Sequence, residues 1–159
     1  MRRPPQLEQS SANPDRVLQV AQMQAPSAHN PKLLTRLKRI FREMYALQKD
    51  PHPDVRFFPS EQEPGFWNVL LAGPEHTPYA NFVFHMYTSF PSEYPRQPPT
   101  CRFVTPIYHC NVNADGRICH SIFDRNYSPS VSIREIFNHV FALLMTPEPK
   151  DPLDNARAA

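Results

Sequence analysis

Glycine is scarce in this chain, with 3 among 159 residues against 20 prolines. Turns and loops built from such a composition are stiffened rather than loosened. Net charge is low as well, at +2, so nothing argues for nucleic acid as a partner and any basic surface must be local. No stretch approaches the run of about 18 apolar residues that a membrane-spanning helix needs. Met1-Arg2-Arg3 is basic, but no apolar run follows it, and no signal peptide is predicted. Cysteine is sparse and odd in number, at Cys101, Cys110 and Cys119, which points to free thiols in a reducing compartment.

What is present fits one soluble domain with a real core. Hydrophobic residues make up 40% and charged residues 20%, an ordinary balance. Residues 1–30, with Pro4, Pro5, Pro14 and Pro26 among polar residues, read as a flexible extension; Val17, Leu18 and Val20 admit a short docking turn. Asn30-Pro31 then predicts a helix start, with Asn as N-cap and Pro in the first turn. Leu33, Leu34, Leu37, Ile40, Phe41, Met44 and Leu47 form one apolar stripe, while Lys32, Arg36, Lys38, Arg39 and Arg42 crowd the other surface, as a solvated face or a docking face. Four strand-like runs follow: Val55–Phe58, Phe66–Leu71, Asn81–Tyr87 and Cys101–Val104. Turn residues between the first three predict an antiparallel meander. Phe90 to Pro99 carries four prolines in ten residues, a stiff loop that could hold a cis bond and serves either recognition or simple crossover. Ser132-Ile133-Arg134-Glu135 is a capping box opening a second helix, with Ile133, Ile136, Phe137, Val140, Phe141, Leu143 and Leu144 on its buried face and Pro147 at its end. The whole predicts an α+β domain, one sheet with a helix packed across it.

The irregular segment 105–131 is too long to be an idle connection. Within it, Tyr108-His109-Cys110-Asn111 leads through the turn Asp115-Gly116 to Cys119. A thiol is well suited to carrying an acyl group, because its thiolate is nucleophilic and thioesters stay reactive. An Asn amide held near that sulfur could donate to an oxyanion. Each cysteine could instead be a small buried hydrophobe, the reading favoured for Cys101 inside its alternating strand. His109 and His120 admit a Cys–His pair, although His120 follows Cys119 directly and adjacent side chains in extended chain point apart. His109 could equally pin the loop to a backbone carbonyl. Zinc ligation by Cys101, His109, Cys110, Cys119 and His120 is disfavoured, since the cysteines lack the paired short spacing of structural sites; no metal is expected.

From about Pro31 to Leu153 the chain resembles the ubiquitin-conjugating enzymes. The resemblance rests on Leu37-Lys38-Arg39-Ile40, Trp67, Gly73-Pro74 with Thr77-Pro78-Tyr79, and Phe90-Pro91-Ser92-Glu93-Tyr94-Pro95 with Pro98-Pro99. It continues through Ile107 to Asn111, Gly116 to Cys119, Tyr127 to Ser130, and Asp151-Pro152-Leu153. Each motif is weak alone, and their order and spacing make the set specific. The resemblance implies a ubiquitin-conjugating fold over residues 31–159: N-terminal helix, four-stranded antiparallel meander, long active-site loop and central helix. It implies a transferase in which Cys119 accepts ubiquitin, or a similar modifier, from an activating enzyme as a thioester and passes it to a substrate lysine or a ligase. Asn111 would support the loop and the oxyanion, Asp151 would act as an acidic gate for the incoming lysine, and His109, Tyr108 and Ser121 would support the site. Lys38, Arg39, Pro95, Arg96, Ser128, Pro129 and Ser130 would form the face met by ligases, the helix residues also meeting the activating enzyme. No cofactor would be bound, ATP and Mg being used by the activating enzyme upstream; the expected location is cytoplasm, nucleus or both.

The sequence departs from the family pattern at several points. Cys110 stands where the family usually has Pro between His and Asn, which frees the backbone and sets a second thiol near the first; a Cys110–Cys119 disulfide that switches activity off follows as a possible redox role. Arg96 replaces an apolar docking residue common in the family, and Ser121 an acidic one. Family members commonly continue with two more helices, whereas this chain stops at Ala159, as a truncated core. The alternative expectation is a weak or inactive binding module on the same fold, acting as a scaffold.

Overall fold

The structure, a computed structural model, describes residues 30–149. The N-terminal extension with Val17, Leu18 and Val20, and the Asp151-Pro152-Leu153 segment, lie outside the described residues. Helix α1 spans Pro31–Lys49, with the Asn30 side chain accepting the Leu33 N–H at 3.2 Å and Pro in the first turn, so the helix start signal works as its chemistry dictates. Ile40, Met44 and Leu47 are buried. Leu34 is not: it is 53% exposed, because at helical spacing it lies about 120° around the axis from Ile40.

Strands β1 (Val55–Pro59), β2 (Phe66–Ala72), β3 (Val83–Ser89) and β4 (Thr100–Phe103) form one antiparallel sheet in the order β1-β2-β3-β4. The meander is the expected one. Pro59 belongs to β1, which tolerates it as an edge strand. The register aligns Pro59, Trp67, Thr88 and Cys101 across the sheet, and beside them Phe57, Val69, Met86 and Phe103. These rows make the buried face. Trp67 is fully buried, donates Nε1–H to the Pro64 carbonyl at 2.9 Å and packs on Phe57 and Phe90. Phe82, expected within the third strand beside Phe84 and Met86, is instead 62% exposed. Asn81 takes a positive φ of 68° and the Phe82 N–H bonds to the Tyr79 carbonyl, so the chain is still turning there and β3 starts one residue later.

Helix α2 spans Ile133–Met145 and carries both halves of the capping box: Ser132 Oγ accepts the Glu135 N–H, and the Ser132 N–H donates to Glu135 Oε2 at 2.8 Å. Ile133, Ile136, Phe137, Val140, Leu143 and Leu144 join Ile40, Met44, Trp67, Val69 and Met86 in one core. The loop before β4 contains a cis Tyr94–Pro95 bond. Among the described residues, no helix is long and apolar enough to cross a membrane.

Arg39 ties this frame together. Its guanidinium donates to Glu43 Oε1 at 2.6 Å, to the Pro129 carbonyl at 2.5 Å and to the Val131 carbonyl at 2.9 Å, and it lies over the Tyr94 ring. Buried Glu43 in turn accepts the Ile133 N–H with Oε2 at 3.1 Å, placing a carboxylate at the start of α2, where the helix dipole favours it.

Candidate active site

The segment between β4 and α2 is irregular but internally bonded. Asn113 Oδ1 accepts the N–H groups of Asp115 and Arg117 at 3.0 and 2.9 Å. Gly116 follows with φ +77°, and a Cβ there would meet the Phe103 carbonyl oxygen at 1.9 Å. Only glycine satisfies both the left-handed backbone and that close approach. The turn folds the chain back on itself, Val112 bridging Ile118, both buried. The Cys119 N–H thereby donates to the Asn111 carbonyl at 2.8 Å, and the eight-residue separation in sequence becomes direct backbone contact.

His109 fixes the other end. It is buried, and both ring nitrogens are engaged: Nδ1 accepts the Asn111 N–H at 3.0 Å and Nε2 meets the Leu143 carbonyl at 2.9 Å. An Nδ1 acceptor and an Nε2–H donor define a neutral ring. Such a ring pins the loop to α2 and has no nitrogen left to take a proton from a nucleophile.

Asn111 is fully buried. Its Nδ2 donates to the Glu148 carbonyl at 2.8 Å, and its Oδ1 accepts the Glu148 N–H at 2.9 Å. The Cys110 thiol also donates to Oδ1, at 3.2 Å. The Asn111 side chain therefore clamps the segment after α2, while its main chain holds Cys119.

The three thiols sit in different settings. Cys101 is buried beside Thr88 Oγ1 at 3.3 Å, and burial pushes its thiol up to about 12, an inert state. Cys110 and Cys119 are half-buried, and none of the three forms a disulfide. Among the described residues, no three His, Cys, Asp or Glu side chains gather into a group that could hold a metal ion.

His120 is held by the turn that follows it. Its Nδ1 accepts the Ile122 N–H at 3.0 Å, starting a short 3₁₀ turn at Ser121–Phe123. Its ring lies 5.0 Å from that of His139, and its Nε2 is 3.5 Å from Glu148 Oε1. Ser121 accepts from Asn126 Nδ2 at 2.7 Å. Tyr108 is 74% exposed and offers its carbonyl to the Tyr79 hydroxyl at 2.7 Å. Asp151 lies outside the described residues.

Part of the set assigned to docking is brought together, Arg39 meeting the Pro129 carbonyl. Lys32 meets Glu93, the Tyr127 hydroxyl donates to the Pro95 carbonyl at 2.7 Å, and Ser128 bonds Ser130 at 2.8 Å. A groove between α1 and the proline loop is lined by Lys32, Thr35, Glu93, Tyr94, Pro95 and Arg96. Lys38, Arg96, Pro129 and Ser130 are exposed. Arg39 corrects the expectation for its side chain: the guanidinium is committed inward, to Glu43 and to the 129–131 backbone. Glu148 is the site residue that sequence reasoning passed over. Its one local signal is a place between Pro147 and Pro149, which restricts its backbone without naming its partner.

A pH dependence follows from the buried imidazoles. Burial lowers His52, His109 and His120 below the ordinary value of 6.5; the Leu143 carbonyl pulls His109 back, as Asp54 does for His52 and Glu148 for His120. These rings are neutral when folded and take a proton more readily when unfolded. Their contribution is complete above the ordinary value and is lost as pH falls through it toward the folded values. Melting temperature followed by circular dichroism is expected to fall below about pH 6.5. The fall should be shallower in His109→Gln once its lower neutral value is subtracted; parallel pH profiles would contradict this assignment.

Comparison with known proteins comes to the same place. A family model described as ubiquitin-conjugating enzyme matches residues 39–159. Ubiquitin-conjugating enzyme E2 13 of Schizosaccharomyces pombe is 40% identical over 118 residues, covering 74% of this chain and 80% of its own length. Ubiquitin-conjugating enzyme E2 N of Macaca fascicularis is 38% identical over 118 residues, covering 74% of this chain and 78% of its own. A protein of Acanthamoeba polyphaga mimivirus named "Probable bifunctional E2/E3 enzyme" is 46% identical over 125 residues, 79% of this chain, which spans only 10% of that longer protein.

Proposed function

The chain belongs to the ubiquitin-conjugating enzyme family, a family of transferases, and on that premise we propose that Cys119 carries ubiquitin as a thioester between an activating enzyme and a lysine. The observation that carries this is the joint hold of Asn111 on the Cys119 backbone and on Glu148, around a thiol that is half-buried and outside any disulfide.

The chemistry is two acyl exchanges without net oxidation. The Cys119 thiolate attacks the carbonyl carbon of the thioester on the activating enzyme; a new C–S bond forms, the old one breaks, and the departing thiolate takes up a proton from solvent. ATP is consumed earlier, with Mg as its counter-ion, by the activating enzyme. In the second exchange the lysine ammonium first loses a proton, which a poorly hydrated site favours. The amine nitrogen bonds to the carbonyl carbon, the C–S bond breaks with its electron pair on Cys119 Sγ, and the nitrogen releases a second proton to water. His109 serves by fixing the loop, and Asn111 by setting the distance between the Cys119 backbone and the segment at Glu148. The groove between α1 and the Pro95 loop, with the neighbouring Ser128–Ser130 segment, is the proposed ligase surface. Lys38 is its exposed helical cation for the activating enzyme.

The test is to incubate the protein with ubiquitin, activating enzyme and Mg-ATP and to resolve it without reductant. Expected is a heavier band that thiol removes, kept in Cys101→Ala and Cys110→Ala and lost in Cys119→Ala. A band lost only in Cys110→Ala would move the acceptor to that thiol, and the assignment of Cys119 would fall.

A further inference from the structure

A residue in the connection between β2 and β3 holds the peptide ahead of His109. The Tyr79 hydroxyl donates to the Tyr108 carbonyl at 2.7 Å. Its ring lies 5.9 Å from that of His109 and meets buried Phe84 edge-on at 5.8 Å. Burial first, and the Cys110 thiol second, push this hydroxyl above its ordinary value of 10, so it stays a donor at neutral pH. The Tyr79 backbone is fixed as well. Thr77 Oγ1 accepts its N–H at 3.2 Å and donates to the Pro74 carbonyl at 2.7 Å, and a Cβ on Gly73 would lie 1.8 Å from the Tyr79 carbonyl oxygen. Only glycine allows that approach.

The loop is therefore held by two anchors, His109 on the Leu143 carbonyl of α2 at 2.9 Å and Tyr108 on Tyr79. From these anchors the bonds run on to the thiol-bearing residue. His109 Nδ1 accepts the Asn111 N–H at 3.0 Å, and the Asn111 carbonyl accepts the Cys119 N–H at 2.8 Å. Cys110 sits in the middle of this run. Its Sγ donates to Asn111 Oδ1 at 3.2 Å, which joins two side chains but leaves φ of Cys110 to rotate. Among the described residues, no hydrogen bond uses the Cys110 N–H, and Cys110 is not one of the residues with positive φ. A proline ring there would cost no hydrogen bond and would remove that rotation.

Resting on the reading of Cys119 as the acceptor, we infer that Tyr79 is a positioning residue for transfer to lysine, its hydroxyl supplying through the Tyr108 carbonyl the restraint on the 108–111 backbone that Cys110 leaves out. Tyr79 forms no bond to the substrate and moves no proton. Without its hydroxyl the 108–111 backbone shifts, and Asn111 and the Cys119 N–H it holds shift with it. A displacement of about 1 Å is costly where reacting atoms must be held in line. Charging asks less of the loop, because it needs only that the Cys119 thiol meet a thioester carried by another protein.

The experiment charges the protein with ubiquitin, removes ATP and follows discharge to free L-lysine. Wild type is compared with Tyr79→Phe, which keeps the ring contacts and removes only the donor. The same change is then made in Cys110→Pro, whose ring fixes φ at about −65°, and in Cys110→Ala, which removes the thiol without restraining φ. Expected in Tyr79→Phe is discharge about fivefold slower, the scale of one lost hydrogen bond. The loss should lie in the maximal rate, with the half-saturating lysine concentration and the charging rate as in wild type. In the proline background it should shrink to less than about twofold, since the two restraints act on one backbone; in the alanine background it should persist in full. Equal slowing of charging and discharge would make Tyr79 structural only, and a loss undiminished by proline would detach its tether from the freedom at Cys110. Either result overturns the inference, as does no slowing at all. Should Cys110→Pro fail to charge, the split between charging and discharge in Tyr79→Phe alone decides. If the wild type does not charge at Cys119, the acceptor reading itself falls, and this inference with it.

Discussion

Asn111→Ala is expected to slow transfer from the charged protein to lysine by about a hundredfold or more, with the first charging step much less affected. The side chain is fully buried, and its two amide atoms are what hold the Glu148 N–H and carbonyl. Removing it leaves those groups and the Cys110 thiol to find new partners and releases the segment after α2 from the loop bearing Cys119. Displacement by about 1 Å suffices for a loss of that order when reacting groups must be held in line. Charging asks less of the loop, since it needs the thiol of Cys119 to meet a thioester carried by another protein. Stability should fall by about 1 kcal/mol, the low end for losing such contacts, because Glu148 is exposed and water can replace part of what Asn111 supplied. Single-turnover charging and discharge, measured separately, check this. A variant that fails equally in both steps would show that Asn111 merely holds the fold.

Arg39→Met is expected to cost about 3 kcal/mol and lower the melting temperature by about 10 °C. The guanidinium and the Glu43 carboxylate are 15% and 6% exposed, so removing the cation leaves a buried anion against the start of α2. Out of a total of about 5–15 kcal/mol for a domain, that is a large share. Two comparisons separate this from a loss of docking. Lys38→Ala, on the exposed side of the same helix, should shift stability by no more than about 0.5 kcal/mol. Adding Glu43→Gln to Arg39→Met should recover part of the loss, because the orphaned charge is gone. Denaturant midpoints for the three variants decide the matter. An Arg39→Met protein as stable as wild type would contradict the internal role of this side chain.

The features legible in the sequence are those whose partners lie close in the chain. Asn30 reaches an N–H three residues on, Ser132 and Glu135 exchange bonds across one turn, and the strands of the meander are neighbours in order. Asn113 and Gly116 likewise build their turn within four residues. The details that escaped are settled by distant partners. Arg39 looked like surface charge on a basic helix, and the carbonyls that claim it are 90 and 92 residues away. Glu148 belonged to no motif, and its clamp comes from Asn111, 37 residues back. Phe82 matched the alternation of its strand, but the positive φ at Asn81 kept the chain turning past it. Family motifs named Cys119 and Asn111; they could not give the direction in which the Asn111 amide points, because its partner lies on no motif that touches it in sequence.

The central claim is that the Cys119 sulfur is the acceptor atom, and exchange of that one atom tests it most directly. With ubiquitin, activating enzyme and Mg-ATP, wild type should give a conjugate that thiol reductant removes. Cys119→Ser should give, more slowly, a conjugate of the same mass increment that survives reductant and is cleaved by mild alkali, as an oxygen ester must be. A reductant-sensitive conjugate persisting in Cys119→Ser would place the acyl group on another sulfur and contradict the account.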